Sequence, residues 1–290
     1  MRVLTLIGLV GLLASTQVGG SGASVRARYA HSSGAGEQHV QQAHAAKLYR
    51  IIGCRSSGAG AYRAGPPERE VAIGFDDGPA ADTIAFVKML ERNHAKATFF
   101  MIGRQVSSVY RATLLRELRD GDALGDHTWS HPDLTLSGGV RGQLQQTLSV
   151  IRSVSGYTPC VFRPPYGDYN ERVLQVARSL GLATVLWDVD PSDYTQPGTT
   201  AIEQRVLAQV QPGSIIISHD GGGPRGQTLA AYPGIISSLR ARGYRILTIP
   251  EMLHFPPVYV PCVRLCDGIG VPRRRLPGDA IIERAGGSNG

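Results

Sequence analysis

Short apolar runs alternate with amphipathic stretches along the chain from Val71 onward. Apolar runs of about four to eight residues are typical of buried strands, and apolar residues spaced by three or four positions are typical of helices. The runs predict seven strands, at 71–75, 97–102, 123–127, 160–163, 182–187, 214–218 and 244–249. The stretches between them predict six helices, and we expect a short further helix at 250–253.

Two of these helices show their buried faces in the sequence. Val140, Leu144, Leu148, Ile151 and Val154 follow one another at steps of four and three, which places them on one helix face. A second helical pattern covers 227–242, and Gly243 is expected to end it, because glycine readily adopts the left-handed conformation that follows a helix.

The alternation of strands and helices predicts an α/β fold of parallel strands. Successive βα units with right-handed crossovers either wind an open sheet or close a barrel. The glycine-rich stretch GGGPRG at 221–226 has neither the Lys-Ser/Thr of a phosphate loop nor the spacing of a dinucleotide loop. This argues against a nucleotide-binding sheet and favours a barrel of parallel strands.

The ends of the chain differ from this central part. Residues 1–25 combine a basic start, an apolar run at 3–14 and a small-residue stretch, which is typical of a secretory signal. The apolar run is shorter than the roughly 18–20 residues that span a bilayer, so a stable membrane span is not expected, and an uncleaved anchor is the alternative. Residues 26–68 resemble a Gly/Ser/Ala-rich leader or linker, 69–255 contain the βα units, and 256–290 form a Pro/Gly/Arg-rich extension with cysteines.

Charge and cysteine content indicate the compartment and the partners. The net charge of +7 is compatible with an acidic partner such as nucleic acid, an anionic membrane or an acidic cell wall. No basic stripe interleaved with aromatic residues occurs, so we expect no nucleic-acid partner.

The four cysteines, Cys54, Cys160, Cys262 and Cys266, predict two disulfides in a secreted chain, with three possible pairings left open. We therefore expect a secreted or cell-wall-associated protein, and a monomer.

Polar residues cluster at the carboxyl ends of the predicted strands, where parallel barrels build their sites. They are Asp76 and Asp77 after the first strand, His127 and His131 after the third, Arg163 at the fourth, Asp188, Asp190 and Asp193 after the fifth, and His219 and Asp220 after the sixth.

The spacing of His127 and His131 is compatible with a metal site. Two histidines four residues apart lie on one side of a helical turn, and a carboxylate from another strand end would complete a His₂Asp set. Such a set suits Zn²⁺ or another divalent ion with positions left for water and substrate. A cation would also offset the repulsion between Asp76 and Asp77, whose alternative role is to form a turn before Gly78-Pro79.

Five segments resemble, in order, the motifs of the NodB-type polysaccharide deacetylases, carbohydrate esterase family 4. They are GFDDGP at 74–79, HTWSH at 127–131, RPPYG at 163–167, DPSDY at 190–194 and ISH at 217–219. The resemblance covers roughly residues 70–255. It implies the NodB-type fold, an irregular barrel of about seven βα units, which agrees with the strand count.

The resemblance also implies a role for each matching residue. Asp77, His127 and His131 would hold the metal, with Zn²⁺ as first choice and Co²⁺ or another divalent ion as alternatives. Asp76 would be the general base, oriented and held ionised by Arg163, and His219 the general acid, paired with Asp193. The backbone N–H of Tyr166 would donate to the oxyanion, while Pro165, Tyr166, Tyr194 and Ile217 would contact substrate.

Three positions depart from the family pattern: Gly74 replaces the usual Thr, Tyr194 replaces Trp, and Ile217 replaces Leu. None of them removes a catalytic group. The resemblance thus implies a secreted, metal-dependent hydrolase that removes N-acetyl groups from N-acetylglucosamine in peptidoglycan or a chitin-type polysaccharide. The alternatives are an O-acetyl esterase acting on xylan and a wall-binding protein without turnover.

Overall fold

Parallel strands form the centre of the structure. A computed structural model describes residues 48–262 apart from 59 and 137, together with 271–272 and 275–284. Its strands are β1 (Leu48–Cys54), β2 (Ala61–Tyr62), β3 (Glu70–Gly78), β4 (Thr98–Met101), β5 (Ala123–Asp126), β6 (Val161–Phe162), β7 (Ala183–Val185), β8 (Ile215–His219), β9 (Arg245–Leu247), β10 (Pro257–Pro261), β11 (Val271–Pro272) and β12 (Ile281–Ile282).

Helices connect the strands of the main sheet. They are α1 (Thr83–Arg92), α2 (Arg111–Asp120), α3 (Val140–Ser155), α4 (Glu171–Ser179), α5 (Thr199–Gln209), α6 (Gly226–Ala241) and the single-turn α7 (Ile249–Met252). Within the described part of the chain, no helix has the length and apolar character needed to cross a bilayer.

The main sheet has the order β2-β7-β6-β5-β4-β3-β8, and β9 pairs with the first residues of β3. All of its paired strands are parallel. A parallel bridge between Val189 and Ile216 joins the chain beyond β7 to β8. Asp188 supports this junction, because its carboxylate accepts hydrogen bonds from the Ser214 hydroxyl (2.8 Å) and from the Ile215 N–H (2.7 Å). The expected irregular barrel of βα units is thereby confirmed.

The predicted elements occur with small shifts at their ends. Each of the seven predicted strands is present, and the six helices lie between them. The main difference is at β3, which continues through Asp76 and Asp77 to Gly78, so these carboxylates belong to the strand end itself. Gly243, at φ 81°, takes the left-handed conformation after α6 that was expected of it.

Strand β3 divides its side chains between two environments. Val71, Ile73 and Phe75 pack in the largest apolar cluster, where Phe75 contacts Phe86, Phe99 and Tyr232. Side chains alternate across a strand, so Gly74 and Asp76 face the opposite side, toward the barrel interior. The alternation of β3 thus directs Asp76 into the barrel.

A second, four-stranded sheet has the order β11-β1-β10-β12. Strand β1 pairs antiparallel with β10, so residues before and after the βα units meet here. The sequence did not predict β1 and β2, which lie in the segment interpreted as leader or linker, and it assigned no strands to the extension that contributes β10, β11 and β12. The secretory signal predicted at 1–25 lies outside the described residues.

A disulfide connects Cys54 at the end of β1 to Cys160 just before β6. It joins a flanking segment to the barrel, as expected, and decides one pairing that the sequence left open. Cys262 is disulfide-bonded as well. The amino end of β6 is therefore covalently attached to the second sheet.

Candidate active site

A buried ion pair between Asp76 and Arg163 lies at the base of the site. The Arg163 Nη1 donates to Asp76 Oδ1 at 2.7 Å, and the two side chains are 0% and 2% exposed. Burial raises the pKa of Asp76 above its usual range, while the positive charge of Arg163 acts against that rise. Arg163 thus opposes protonation of Asp76, although burial still raises the pKa of this carboxyl overall.

Packing holds the Arg163 guanidinium in place. Its carbon lies 4.2 Å from the ring centroid of Phe100 and 5.7 Å from that of Trp187, and Nη2 donates to the Leu186 carbonyl at 3.3 Å. A Cβ on Gly74 would lie 2.5 Å from Arg163 Nη1, closer than side chains approach. The glycine that replaces the usual Thr therefore leaves the space that the guanidinium occupies.

Asp77 sits in a strained backbone position at the end of β3, with φ 71°. Gln105 donates to its carbonyl at 2.9 Å, and the loop after β8 packs against it. A Cβ on Gly221 would lie 2.0 Å from the Asp77 carbonyl oxygen, so only glycine allows this contact. The stretch GGG at 221–223, which resembled no phosphate loop, thus supports the segment that carries Asp77.

His127 is buried and oriented by backbone. Its Nδ1 hydrogen-bonds to the Arg163 carbonyl at 2.7 Å, which directs Nε2 toward Asp77 Oδ1, 3.6 Å away. Burial lowers the pKa of His127 to about 3, so the ring is neutral at physiological pH. A neutral imidazole with its second nitrogen fixed by a carbonyl is the arrangement found at metal ligands.

His131 reaches the same place by a route that the sequence did not predict. The expectation of a helical turn for the two histidines is wrong: residues 127–131 form a loop in which Thr128 and His131 have φ of 68° and 61°. Asp126 accepts from the Thr128 N–H at 2.8 Å, and the Thr128 hydroxyl accepts from the His131 N–H at 2.9 Å. These local hydrogen bonds hold the loop and bring the two imidazole centroids to 4.9 Å.

The geometry and the donor set of this group fit a divalent cation. One ligand atom from each of Asp77, His127 and His131 can be chosen so that all lie within 4.8 Å of one another. Asp77 Oδ1 is buried without a hydrogen-bond partner and lies 3.4 Å from His131 Nε2. Such an unpaired oxygen is costly unless a cation or a proton satisfies it. Two imidazoles and one carboxylate suit Zn²⁺ or a similar ion.

A second charged unit lies on β8. His219 Nδ1 and Asp193 Oδ1 are 2.8 Å apart, and the other Asp193 oxygen accepts from the His219 N–H (3.0 Å) and from the Thr228 hydroxyl (2.8 Å). Burial alone would lower the pKa of His219, but the hydrogen bond and negative charge of Asp193, with Asp76 and Asp77 nearby, raise it overall. The ring therefore holds a proton more readily than a free histidine does.

These groups surround one cavity of about 400 Å³. Of the predicted substrate contacts, Tyr166, Tyr194 and Ile217 line it, and the two tyrosines are 67% and 54% exposed. Pro165 is buried, and the proline that lines the cavity is Pro164. Arg163 and Asp193 lie behind the wall, where they contact Asp76 and His219.

No definite role was predicted from the sequence for several residues that the structure brings to the site. Trp187 and Asp190 line the cavity, and Thr228 holds Asp193. Asp220 is buried beneath the Asp76–Gly78 segment, where it accepts a short hydrogen bond from Thr83, and its burial and the negative charges of Asp77 and Asp76 raise its pKa to about 7. Its only signal in the sequence was its position directly after His219.

Known proteins resemble the chain over its barrel. The family model described as polysaccharide deacetylase matches residues 63–185. The chain is 34% identical to the peptidoglycan-N-acetylmuramic acid deacetylase PdaC of Bacillus subtilis over 64% of this chain, but spans only 39% of that relative's length. It is 35% identical to a peptidoglycan-N-acetylglucosamine deacetylase of Bacillus cereus (65% of this chain, 90% of the relative). It is 37% identical to a chitooligosaccharide deacetylase of Sinorhizobium fredii (65% and 94%).

Solved structures agree with this relationship. A peptidoglycan N-acetylglucosamine deacetylase superposes with a TM-score of 0.64 and 32% identity, covering 67% of this chain and 92% of that one. A pseudoenzyme of carbohydrate esterase family 4 from Bacillus anthracis superposes with a TM-score of 0.62 and 27% identity, covering 67% and 69%. On the match of its barrel to relatives that it covers almost completely, the chain belongs to the polysaccharide deacetylase family.

Proposed function

We propose that the protein is a metal-dependent deacetylase that removes N-acetyl groups from N-acetylglucosamine units of a cell-wall or chitin-type polysaccharide. The observation that carries this proposal is the pairing of base and acid across the sheet. Asp76 on β3 lies opposite His219 on β8 in the parallel register, and both line the cavity beside Asp77, His127 and His131. A pseudoenzyme shares this fold, so the side chains around the cavity support the proposal and the fold alone does not.

The metal group would be held by Asp77, His127 and His131, with Zn²⁺ as first choice and Co²⁺ or another divalent ion as an alternative. A bound cation supplies positive charge that polarises the acetyl carbonyl and makes water more acidic. The chain contributes the fixed orientation of the ligands. The Arg163 carbonyl orients His127, and the hydrogen-bonded loop from Asp126 to His131 positions the second imidazole.

Asp76 is the general base of this proposal. Its Oδ1 is occupied by Arg163, and its Oδ2 lies 3.8 Å from His127 Nε2 on the side of the metal group. One oxygen is thus held by the guanidinium, and the other faces the place where water would attack. A well-placed base contributes roughly 10²–10⁴-fold to the rate.

His219 is the general acid. An amide releases its amine only when the nitrogen is protonated, so the acid must carry a proton at the working pH. Asp193 meets this requirement, because it raises the pKa of the His219 ring and fixes its Nδ1, so that Nε2 is left to donate the proton.

The backbone N–H of Tyr166 is assigned as the donor to the oxyanion. Tyr166 has a φ of 62°, which turns the chain at the rim of the cavity. One such donor stabilises the transition state by about 3–4 kcal/mol.

Secretion and substrate class belong to the same proposal. Relatives are named for action on peptidoglycan and on chitooligosaccharides, and the net charge of +7 favours an acidic wall over a neutral polymer. The rim tyrosines, Tyr166 and Tyr194, offer apolar faces on which a sugar ring can lie. We place peptidoglycan first and chitin-type chains second.

The test of the proposal is acetate release by the purified full chain from chitooligosaccharides, peptidoglycan and acetylxylan in parallel. We expect release from at least one of the two N-acetylated substrates, its loss on chelation and its return when Zn²⁺ is added. Elemental analysis identifies the metal. Release from acetylxylan alone would support the O-acetyl esterase, and absence of release from all three would support a wall-binding protein without turnover.

Asp76→Asn is expected to lower acetate release by about 10²-fold or more, because the base is lost. Metal content should stay close to wild type, since Asp77, His127 and His131 are unchanged. The measurements are turnover and bound metal per chain, with thermal unfolding as a folding control. Asp82→Asn, at an exposed position before α1, removes a carboxylate elsewhere and should have no effect. Wild-type turnover in Asp76→Asn would contradict the assignment of the base.

Asp193→Asn is expected to shift the alkaline limb of the pH profile of kcat/KM to lower pH. His219 must be protonated to act, so activity is lost as pH rises through its pKa. Asp193 raises that pKa, and removing its charge lets the ring lose its proton at a lower pH. Thr228→Val removes one hydrogen bond to Asp193 but keeps the charge, so its shift should be smaller. An alkaline limb that does not move would refute the pairing.

Gly74→Ala is expected to reduce kcat and to lower the free energy of unfolding by about 1–3 kcal/mol, as overpacked positions do. The added methyl would displace the Arg163 guanidinium, which it would approach to 2.5 Å. Gly142→Ala is the matched control, because its Cβ would meet only the flexible Gln146 side chain at 3.6 Å. If Gly74→Ala kept wild-type kcat and stability, the close packing of Arg163 on β3 would be wrong.

A further inference from the structure

An arginine-lined groove lies on the second sheet, apart from the site described above. It is a cavity of about 510 Å³ between β1, β10 and the last turn of α3. We call it the arginine groove and define it by Arg50 on β1, Arg55 directly after β1 and Arg152 on α3. Both β1 and β10 lie outside residues 63–185, which the family model matches.

The positive charge of the arginine groove is only partly balanced. Arg55 pairs with Glu283 at 2.8 Å, with side chains 60% and 44% exposed. In the described ranges, neither Arg50 nor Arg152 has an acidic partner. The carboxyl end of α3 offers a partial charge of about −0.5 near Gly156, where the Arg50 guanidinium lies. Three arginines against one carboxylate and this dipole leave an excess of about one and a half positive charges.

The arginine groove is at the other end of the barrel strands from the cavity of 400 Å³. Cys54 and Thr158 line it, and the disulfide from Cys54 leads to Cys160, just before β6 begins. Asp76, His127 and His219, by contrast, are at or beyond the carboxyl ends of their strands. A molecule in the arginine groove therefore does not occupy the proposed catalytic cavity.

The side chains that line the arginine groove determine which class of ligand it can bind. Guanidinium groups bind phosphate and carboxylate oxyanions through paired hydrogen bonds. The remaining lining residues are aliphatic or small, such as Ile52, Val258 and Thr158, and none is aromatic. A nucleic-acid strand would find no ring on which to stack its bases, which argues against that partner. An oxyanion repeated along a flexible polymer fits an open groove with several arginines.

We propose that the arginine groove binds an anionic polymer through its repeated phosphate or carboxylate groups. Binding there holds the protein on an acidic matrix and leaves the catalytic cavity free for the polysaccharide chain. The energy comes from exchange of counterions for arginine contacts, so binding weakens as salt concentration rises. This function is separate from deacetylation and does not depend on turnover.

The experiment measures the affinity of the full chain for immobilised poly(glycerol phosphate) and polygalacturonate, with neutral chitin beads as reference, over a range of salt concentrations. We expect the combined variant Arg50→Gln with Arg152→Gln to lose at least about tenfold in affinity and to depend less on salt. The control pair, Lys88→Gln with Arg92→Gln, removes the same charge from the exposed face of α1 and should lose little. Affinity for either acidic polymer supports the proposal, and comparison of the two identifies the preferred oxyanion.

A variant with increased affinity tests the proposal even if the combined variant Arg50→Gln with Arg152→Gln does not fold. Glu283→Gln removes the carboxylate that pairs with Arg55, so affinity should rise several-fold. Acetate release from a soluble chitooligosaccharide serves as the separate readout and should not change in any of these variants. Equal losses in the two double variants, no binding of wild type to either acidic polymer, or no gain with Glu283→Gln would each overturn the proposal.

Discussion

The buried ion pair between Arg163 and Asp76 is the interaction on which the rest of the site depends. Two buried charges are stable only when they satisfy one another, and removing one partner of such a pair typically costs about 3–5 kcal/mol. The pair is placed by features far apart in the sequence: the alternation of β3, the glycine at position 74 and the rings of Phe100 and Trp187. Arg163 also orients His127 through its carbonyl, so one residue contacts both the proposed base and a proposed metal ligand.

Electrostatics divides the site into two halves. Around Asp77 and His127, burial favours a neutral imidazole and leaves a carboxylate oxygen unpaired, both of which suit a cation. Around His219, the fully hydrogen-bonded Asp193 favours a protonated imidazole. Two histidine environments with opposite effects on pKa line one cavity, which fits the proposed division between metal binding and acid catalysis.

Much of this organisation could be predicted from the sequence, because buried parallel strands appear as apolar runs and sites follow their carboxyl ends. The parts that could not be predicted depend on distant or unusual geometry. Strand β1 exists through pairing with β10, some 200 residues later, and β2 is two residues long. The loop at 127–131 needs left-handed backbone at Thr128, a β-branched residue that disfavours it. In the sequence, Gly74 only replaces the usual Thr, and its contact with Arg163 depends on a residue 89 positions later.

The double use of Arg163 has an evolutionary consequence. Its guanidinium pairs with Asp76, the proposed base, and its backbone carbonyl is hydrogen-bonded to His127, a proposed metal ligand. Substitution of the side chain leaves that carbonyl in the chain. Under the proposed function, a change at position 163 that the fold tolerates removes the partner of Asp76 but not the carbonyl that orients His127. Under the proposed roles, the residues that would bind a cation can remain after the base has lost its partner, which provides a short route from an enzyme to a binding protein.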